Sequence, residues 1–403
     1  MQQQSLDSIF DEFINKESIF QNKDVLSTNY NPNDLPHRNE EVRSVASLLA
    51  PSLKGHRPSN LFVYGKTGTG KSAVIKHITN RLKEKGEENG TEVKIVYLNC
   101  KLRKIADTEY RLIAQLTRKF GRDVPSTGLP TEEVYERFFG VLDEKKRILI
   151  LILDEIDSLV EKTGDEFLYN LTRINEELER SKLSLVGISN NLSFTKDLDP
   201  RVKSSLSEEE ILFSPYNASQ LKDILQNRAE EAFCEESIEQ GVVTKCAALA
   251  AQEHGDARRA IDLLRVSGEL AERSDSEKVR PEHVDMAENE IDRNKVIEVV
   301  ESQPRQSQAV LWSIINLFEE RDDMVQTGEV HSLYEKVCRS SGLEPLTQRR
   351  VSDLISELDM LGIIQANVTS KGRYGRTRLI KPAVSTNVKN QVKNLLKERY
   401  YFG

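Results

Sequence analysis

The sequence predicts an α/β core built on a five-stranded parallel sheet, followed by an all-α domain and a small C-terminal unit of helices and a β-hairpin. Three observations carry this reading. Apolar, strand-like runs alternate with helical patterns up to Tyr216 and then stop. Residues 217–302 show helical periodicity only. From residue 303 on, three helical patterns precede two short strand-like runs. Strands alternating with helices predict a parallel sheet covered on both faces. The 403 residues suit two or three domains of ~100–200 residues each. The predicted partition is an N-terminal extension (1–28), an α/β core (29–216), an all-α domain (217–302) and the C-terminal unit (303–403).

The first strand, residues 61–64 with Asn60 before it, leads into Gly65 to Ser72, GKTGTGKS. This is a complete G-x-x-x-x-G-K-[ST] phosphate-binding loop between a strand and a helix. Gly65, Gly68 and Gly70 let the backbone curl so that its N–H groups face phosphate oxygens, at the positive end of the helix that follows. On that helix Val74, Ile75, Ile78 and Leu82 fall on one face. Lys71 is placed to reach the β- and γ-phosphates, and the Ser72 hydroxyl to ligate Mg²⁺. Residues 93–98 read as the second strand. A long insertion follows, with helices over 107–120 and 131–142 joined by residues 121–130, which contain two prolines and two glycines.

Residues 148–153, Ile-Leu-Ile-Leu-Ile-Leu, are too short to span a membrane, which takes ~20 residues. They fit a central strand buried on both faces. The run ends in Asp154-Glu155-Ile156-Asp157, at the carboxyl end of the sheet where open α/β folds bind ligands. Asp154 is expected to hold Mg²⁺ through water, and Glu155 to polarise the attacking water. The last two core strands are 183–188 and 211–213. Helices are expected over 218–232, 238–253, 257–272 and 281–300, and Gln303-Pro304 reads as a linker.

In the C-terminal unit, helices are expected over 307–320, 330–340 and 346–361, with Gly362 stopping the third. Strands over 363–368 and 377–380 flank a turn at 370–375. Three helices followed by a hairpin is the outline of a winged helix. Its third helix presents Thr347, Gln348, Arg349 and Arg350 near its N-terminus, where such helices touch DNA. The hairpin tip carries Lys371, Arg373, Tyr374 and Arg376, suited to phosphate contacts or a minor groove. The alternatives are a winged helix used for protein contacts, or hairpin charges that are only solvated.

Net charge is −8, which argues against a chain-wide affinity for nucleic acid. The charge is uneven, however: from Arg305 onward 15 Lys and Arg stand against 11 Asp and Glu. A mildly basic tail on an acidic body permits DNA binding by one end. Met1-Gln2-Gln3-Gln4 shows no basic segment leading an apolar stretch, so no export signal is expected. The four cysteines, Cys100, Cys234, Cys246 and Cys338, lie far apart and read as reduced packing residues.

Taken together, these segments resemble the archaeal replication initiators of the AAA+ class, P-loop NTPases related to origin-recognition-complex subunit one and cell-division-control protein six. The resemblance runs from about Asn29 to Pro382. It implies that the all-α domain is a lid. Residues 30–38, YNPNDLPHR, are similar to the family segment that wraps adenine, and the resemblance places Tyr30, Leu35, Arg38 and Tyr216 at the nucleotide. Gly65, Thr67, Gly68, Thr69, Gly70, Lys71, Ser72 and Ala73 then form the phosphate cradle. Residues 183–190, LSLVGISN, are similar to the first-sensor strand, with Asn190 or its neighbour Asn191 as the sensing amide. The resemblance makes Arg201 a finger reaching the nucleotide of a neighbouring subunit or partner. It makes Arg258, with Arg259 as the alternative, the second sensor on the lid. Ser126, Thr127 and Gly128 fall in the initiator insertion that contacts DNA.

The implied function is an ATP-dependent replication initiator that binds origin DNA and helps load the replicative helicase. ATP or ADP with Mg²⁺ is the implied cofactor, and slow hydrolysis serves as a switch. The implied partners are double-stranded origin DNA and the minichromosome maintenance helicase, with room for self-association on DNA and no membrane. The expected location is the cytoplasm, on the nucleoid. Two rivals remain: an ATP-binding DNA regulator that loads no helicase, and a clamp-loader-like ATPase, which has no use for the insertion or the winged helix.

Overall fold

In the computed structural model, which describes residues 18–27, 30–32, 34–101, 108–125, 127–206, 209–321, 323–370 and 376–400, the apolar runs form one all-parallel sheet. Its strands are β1 (Leu61–Tyr64), β2 (Val93–Asn99), β3 (Ile148–Asp154), β4 (Lys182–Ser189) and β5 (Glu209–Leu212), in the order β2-β3-β4-β1-β5. β4 therefore separates the strand that feeds the phosphate loop from the strand that ends in Asp154. Every residue of β3 is buried, because alternate side chains serve opposite cores. Leu149, Leu151 and Leu153 face one cluster, and Ile148, Ile150 and Ile152 face the other.

The second cluster lies under α1 (Asn39–Leu49) and α2 (Lys71–Glu88), through Val45, Leu49, Val74, Ile75 and Ile78. The strand period of two thus carries Asp154 onto the same side of the sheet as the helix that begins at Lys71. The opposite cluster is covered by the insertion helices α3 (Glu109–Lys119) and α4 (Thr131–Leu142), through Leu112, Ile113, Leu116, Val134 and Phe138. Thr108 caps α3, its hydroxyl accepting from the Arg111 N–H at 3.3 Å.

Three short helices carry no expectation from the sequence: α5 (Ile156–Thr163), α6 (Glu166–Arg173) and α7 (Pro200–Leu206). Helices this short depend on packing rather than on intrinsic propensity. Phe167, Leu168 and Leu171 supply that packing from α6. The last core strand also differs, starting at Glu209 and ending at Leu212. Its polar residues join the sheet by pairing with β1, and Phe213 leaves the strand for the core.

The lid helices are α8 (Ala218–Ala232), α9 (Val242–Gln252), α10 (Ala257–Arg273) and α11 (Pro281–Ser302). Asn217 and Gln220 cap α8 reciprocally. α9 starts later than expected, because Ile238 bridges to Val279 and Gly241, at φ 99°, opens the helix. Residues 18–27 are tied to this helical domain. Gln21 and Asn22 N–H groups both donate to the Ala232 carbonyl, at 2.9 and 3.0 Å. Lys23 pairs with Glu269 at 3.0 Å.

The described residues fall into two compact units that divide within α11, the first ending at Val284 and the second starting at Asp285. The second unit contains α12 (Arg305–Arg321), α13 (Thr327–Ser341), α14 (Gln348–Met360) and α15 (Thr386–Tyr400), with the strands β6 (Val325–Gln326), β7 (Ile364–Ser370) and β8 (Arg376–Pro382). The three strands pair antiparallel in the order β6-β8-β7. This is the winged helix expected, with two additions, β6 and α15. Val351, Leu354, Ile355 and Leu358 form the buried face of α14 and meet Trp312, Ile314 and Tyr334 in the core. Among the described residues, no helix is long and apolar enough to cross a membrane.

Candidate functional site

The phosphate loop leaves β1 at Tyr64 and curls into α2. Gly68 sits at φ 68°, and a Cβ there would lie 1.7 Å from Asp256 Oδ1. Gly70, at φ 87°, caps α2 without a side chain, so the first N–H groups of the helix stay open to a ligand. Lys71 is buried, its Nζ donating to the Gly65 and Lys66 carbonyls, each at 2.7 Å, and to Asn190 Oδ1 at 2.9 Å. Burial pulls the ammonium down to about 8, with Arg258 adding to the fall and Asp154 opposing it.

Asp154 ends β3 opposite Asn99 of β2. Its Oδ2 accepts from Ser72 Oγ at 2.9 Å and from the Tyr97 hydroxyl, while Oδ1 accepts the Glu155 N–H at 3.0 Å. Glu155 adopts φ 56°, a left-handed conformation that costs a non-glycine residue energy. Such strain gathers at ligand sites. Its carboxylate is 3.7 Å from Lys101 Nζ. The two asparagines after β4 differ in what they hold. Asn190 reaches Lys71, whereas Asn191 Oδ1 accepts from the backbone and hydroxyl of Ser193, both at 2.9 Å.

The lid closes the other side. Asp256 caps α10, accepting from the Arg258 and Arg259 N–H groups at 2.8 and 3.3 Å. The Ala257 N–H donates to the Gly68 carbonyl at 3.1 Å, so the lid touches the phosphate loop itself. Arg258 lines the cleft, and Arg259 turns to Glu253 at 3.2 Å. Tyr30 forms a wall, its ring 4.5 Å from the Arg228 guanidinium and its hydroxyl donating to Glu231 at 2.8 Å. That hydrogen bond, with burial, raises the phenol above its usual range.

These groups enclose a cleft of about 370 Å³ lined by Tyr30, Leu35, Thr67, Gly68, Thr69 and Gly70. Lys71, Ser72, Ala73, Asp154, Glu155, Asn190, Tyr216 and Arg258 line it too. Two expected residues lie behind the cradle instead. Gly65 packs against Phe213. Arg38 is buried, donating to the Thr69 carbonyl at 3.0 Å and to the Ser214 carbonyl at 2.6 Å, with its guanidinium 4.0 Å from the Tyr216 ring centre. With the Glu41 carboxylate 2.6 Å from Nη1 as a further partner, Arg38 braces the loop from behind and does not line the cleft. Arg201 lies outside the cleft, its side chain 84% exposed and held by Asp199 at 3.2 Å.

Beyond Arg258, sequence reasoning missed what α8 contributes from the lid. Ile224, Asn227, Arg228 and Glu231 line the cleft from α8, at the spacing of one helix face. That mixed apolar and charged face was the available signal. Tyr97 was also missed, although strand alternation puts it on the side of the sheet that bears Asp154.

In the second unit, Thr347 caps α14 with its hydroxyl accepting from the Arg350 N–H at 3.4 Å. Thr347, Gln348, Arg349 and Arg350 are all exposed there, as the free face required. Arg378 of β8 donates to the Ser352 carbonyl at 2.7 Å, tying the hairpin to α14. In the insertion, Tyr110 and Arg118 donate to the Pro125 and Val124 carbonyls at 2.9 and 3.0 Å, and Thr127 and Gly128 are exposed. Ser126, Lys371, Arg373 and Tyr374 lie outside the described residues, as does the Arg376 side chain.

Three family models match the chain: an AAA domain over residues 54–193, a Cdc6 AAA+ ATPase-type lid domain over 222–289, and a CDC6 C-terminal winged helix domain over 298–390. An ORC1-type DNA replication protein of Pyrococcus abyssi is 53% identical over 384 residues, 94% of this chain and 91% of that one. One from Archaeoglobus fulgidus is 52% identical over 374 residues, 93% of this chain and 90% of that one. The solved structure of the Aeropyrum pernix ORC1 protein in complex with DNA is similar at a TM-score of 0.83 and 47% identity, covering 96% of this chain and 99% of that one.

Proposed function

Because this chain belongs to the family of ORC1-type DNA replication proteins, with an AAA+ core, a Cdc6-type lid and a winged helix, we propose that it is an ATP-dependent initiator that binds origin DNA and helps load the replicative helicase. One observation carries the nucleotide half of this reading. Lys71, the Ser72–Asp154 pair, Asn190 and Arg258 converge on a single cleft although they come from four different elements or loops.

The donor set fits a triphosphate with a divalent cation. Lys71 is a buried cation, the open N–H groups of α2 face the same space, and Ser72 and Asp154 offer hard oxygens. Ser72 and Asp154 are the residues that would hold Mg²⁺, which supplies charge neutralisation on the phosphates. Lys71 and Arg258 bind and orient the phosphate chain. Glu155, held in its strained conformation, orients a water for attack. Arg201, exposed and outside its own cleft, serves a neighbouring copy, so a lone chain hydrolyses slowly. Tyr30, Leu35 and Tyr216 border the base.

The DNA half rests on the exposed cationic start of α14 and on the Aeropyrum relative, described as bound to DNA. The domain partition we adopt is extension 1–28, core 29–216, lid 217–302 and winged helix 303–403. Two experiments together test the proposal. Immunoprecipitated genomic DNA should give one sharp peak, and the minichromosome maintenance helicase should be captured only with ATP present. Peaks scattered over promoters, with no helicase captured, would favour a regulator.

A further inference from the structure

Ser72, Asp154 and Lys71 account for the open face of the cleft, but one more residue grips the same carboxylate from behind. Tyr97 lies on β2, where Tyr97 pairs with Ile152 and Asn99 with Asp154. Alternation along both strands brings Tyr97 and Asp154 to the side of the sheet covered by α2. The Tyr97 hydroxyl donates to Asp154 Oδ2, the oxygen that also accepts from Ser72 Oγ at 2.9 Å. The ring is pinned in turn by Lys76 of α2, whose Nζ lies 4.9 Å from its centre.

We propose that Tyr97 is a positioning residue for the divalent-cation site, fixing the Asp154 carboxylate in the orientation that Ser72 shares. A carboxylate at a strand end has two soft side-chain rotations. Ser72 can donate its O–H to Asp154 while its lone pairs serve a cation, so its position is shared between two partners, whereas the Tyr97 hydroxyl is a side-chain donor with Asp154 as its acceptor. The Glu155 N–H holds only the other oxygen, Oδ1. Partners of this kind typically govern metal affinity by ~10–100-fold while touching neither metal nor substrate. The inference rests on the reading of the cleft as a nucleotide site that takes a cation.

The test is the Tyr97→Phe variant of the full chain, which keeps the ring and its contact with Lys76 and removes only the hydroxyl. ATP affinity is measured by calorimetry in EDTA and across a magnesium titration, beside a thermal melt of both proteins. The expected result is an unchanged affinity in EDTA and a magnesium midpoint raised by about 10-fold or more. An unchanged midpoint overturns the proposal. So does an equal loss of affinity with and without magnesium, which marks a purely structural tyrosine. Failure of the underlying reading looks different: wild-type protein then takes up no nucleotide at any magnesium concentration.

Discussion

Lys71 and Glu155 line the same cleft with opposite tasks, and different measurements separate them. Glu155→Gln keeps the side-chain shape and removes the charge, so it should retain ATP while turnover falls by ~10²-fold or more; single-turnover hydrolysis assays check this, and unchanged hydrolysis would remove Glu155 from its role. Lys71 carries a pH signature. Its folded value, about 8, lies well below the ordinary lysine range, so the buried charge opposes folding below pH 8. That opposition fades as pH rises through the folded value, because the folded chain then releases the proton. Phosphates restore the charge, so nucleotide binding near pH 8 to 9 should take up protons. Calorimetry in two buffers of different ionisation enthalpy reads that uptake directly. Zero uptake would contradict the burial of Lys71. The cradle itself was legible because its residues are contiguous. Choosing between Asn190 and Asn191, or moving Arg38 behind the loop, needed partners more than a hundred residues away in the chain, such as Lys71 for Asn190 and Ser214 for Arg38.

Among elements, the contact between the lid and the phosphate loop is the tightest constraint. Gly68 and Gly90 share a left-handed backbone, at φ 68° and 69°, but a Cβ at Gly90 meets nothing within 4 Å. Gly68→Ala and Gly90→Ala should therefore both lose ~1–2 kcal/mol from backbone strain. Only Gly68→Ala should also weaken ATP binding, because its Cβ collides with Asp256 at the start of α10. Denaturant unfolding and nucleotide titration of the two variants give the comparison; equal ATP affinity in both would show that the lid need not seat against the loop. The sheet and the α14 face were readable because a period of two or 3.6 is local to one element. The helices α5, α6 and α7, and the cleft-facing side of α8, were not, since their partners come from elsewhere in the fold. β6 was unreadable for a simpler reason: two residues are too few to show a period.

For the whole molecule, the proposed DNA binding asks an acidic chain to confine its cations, and the start of α14 exposes Arg349 and Arg350 side by side. Arg349→Ala and Arg350→Ala should each weaken DNA binding and flatten its salt dependence by roughly one unit of slope per lost phosphate contact. Affinities measured across a salt series check this, and an unaltered slope in both would place the contacts elsewhere. The chain's single tryptophan, Trp312, sits in the core of the unit that starts at Asp285, while the nucleotide cleft belongs to the unit that ends at Val284. Intrinsic indole fluorescence is thus a built-in optical reporter of the C-terminal unit alone. Followed beside circular dichroism, it tells which half of the protein melts first, with no label attached.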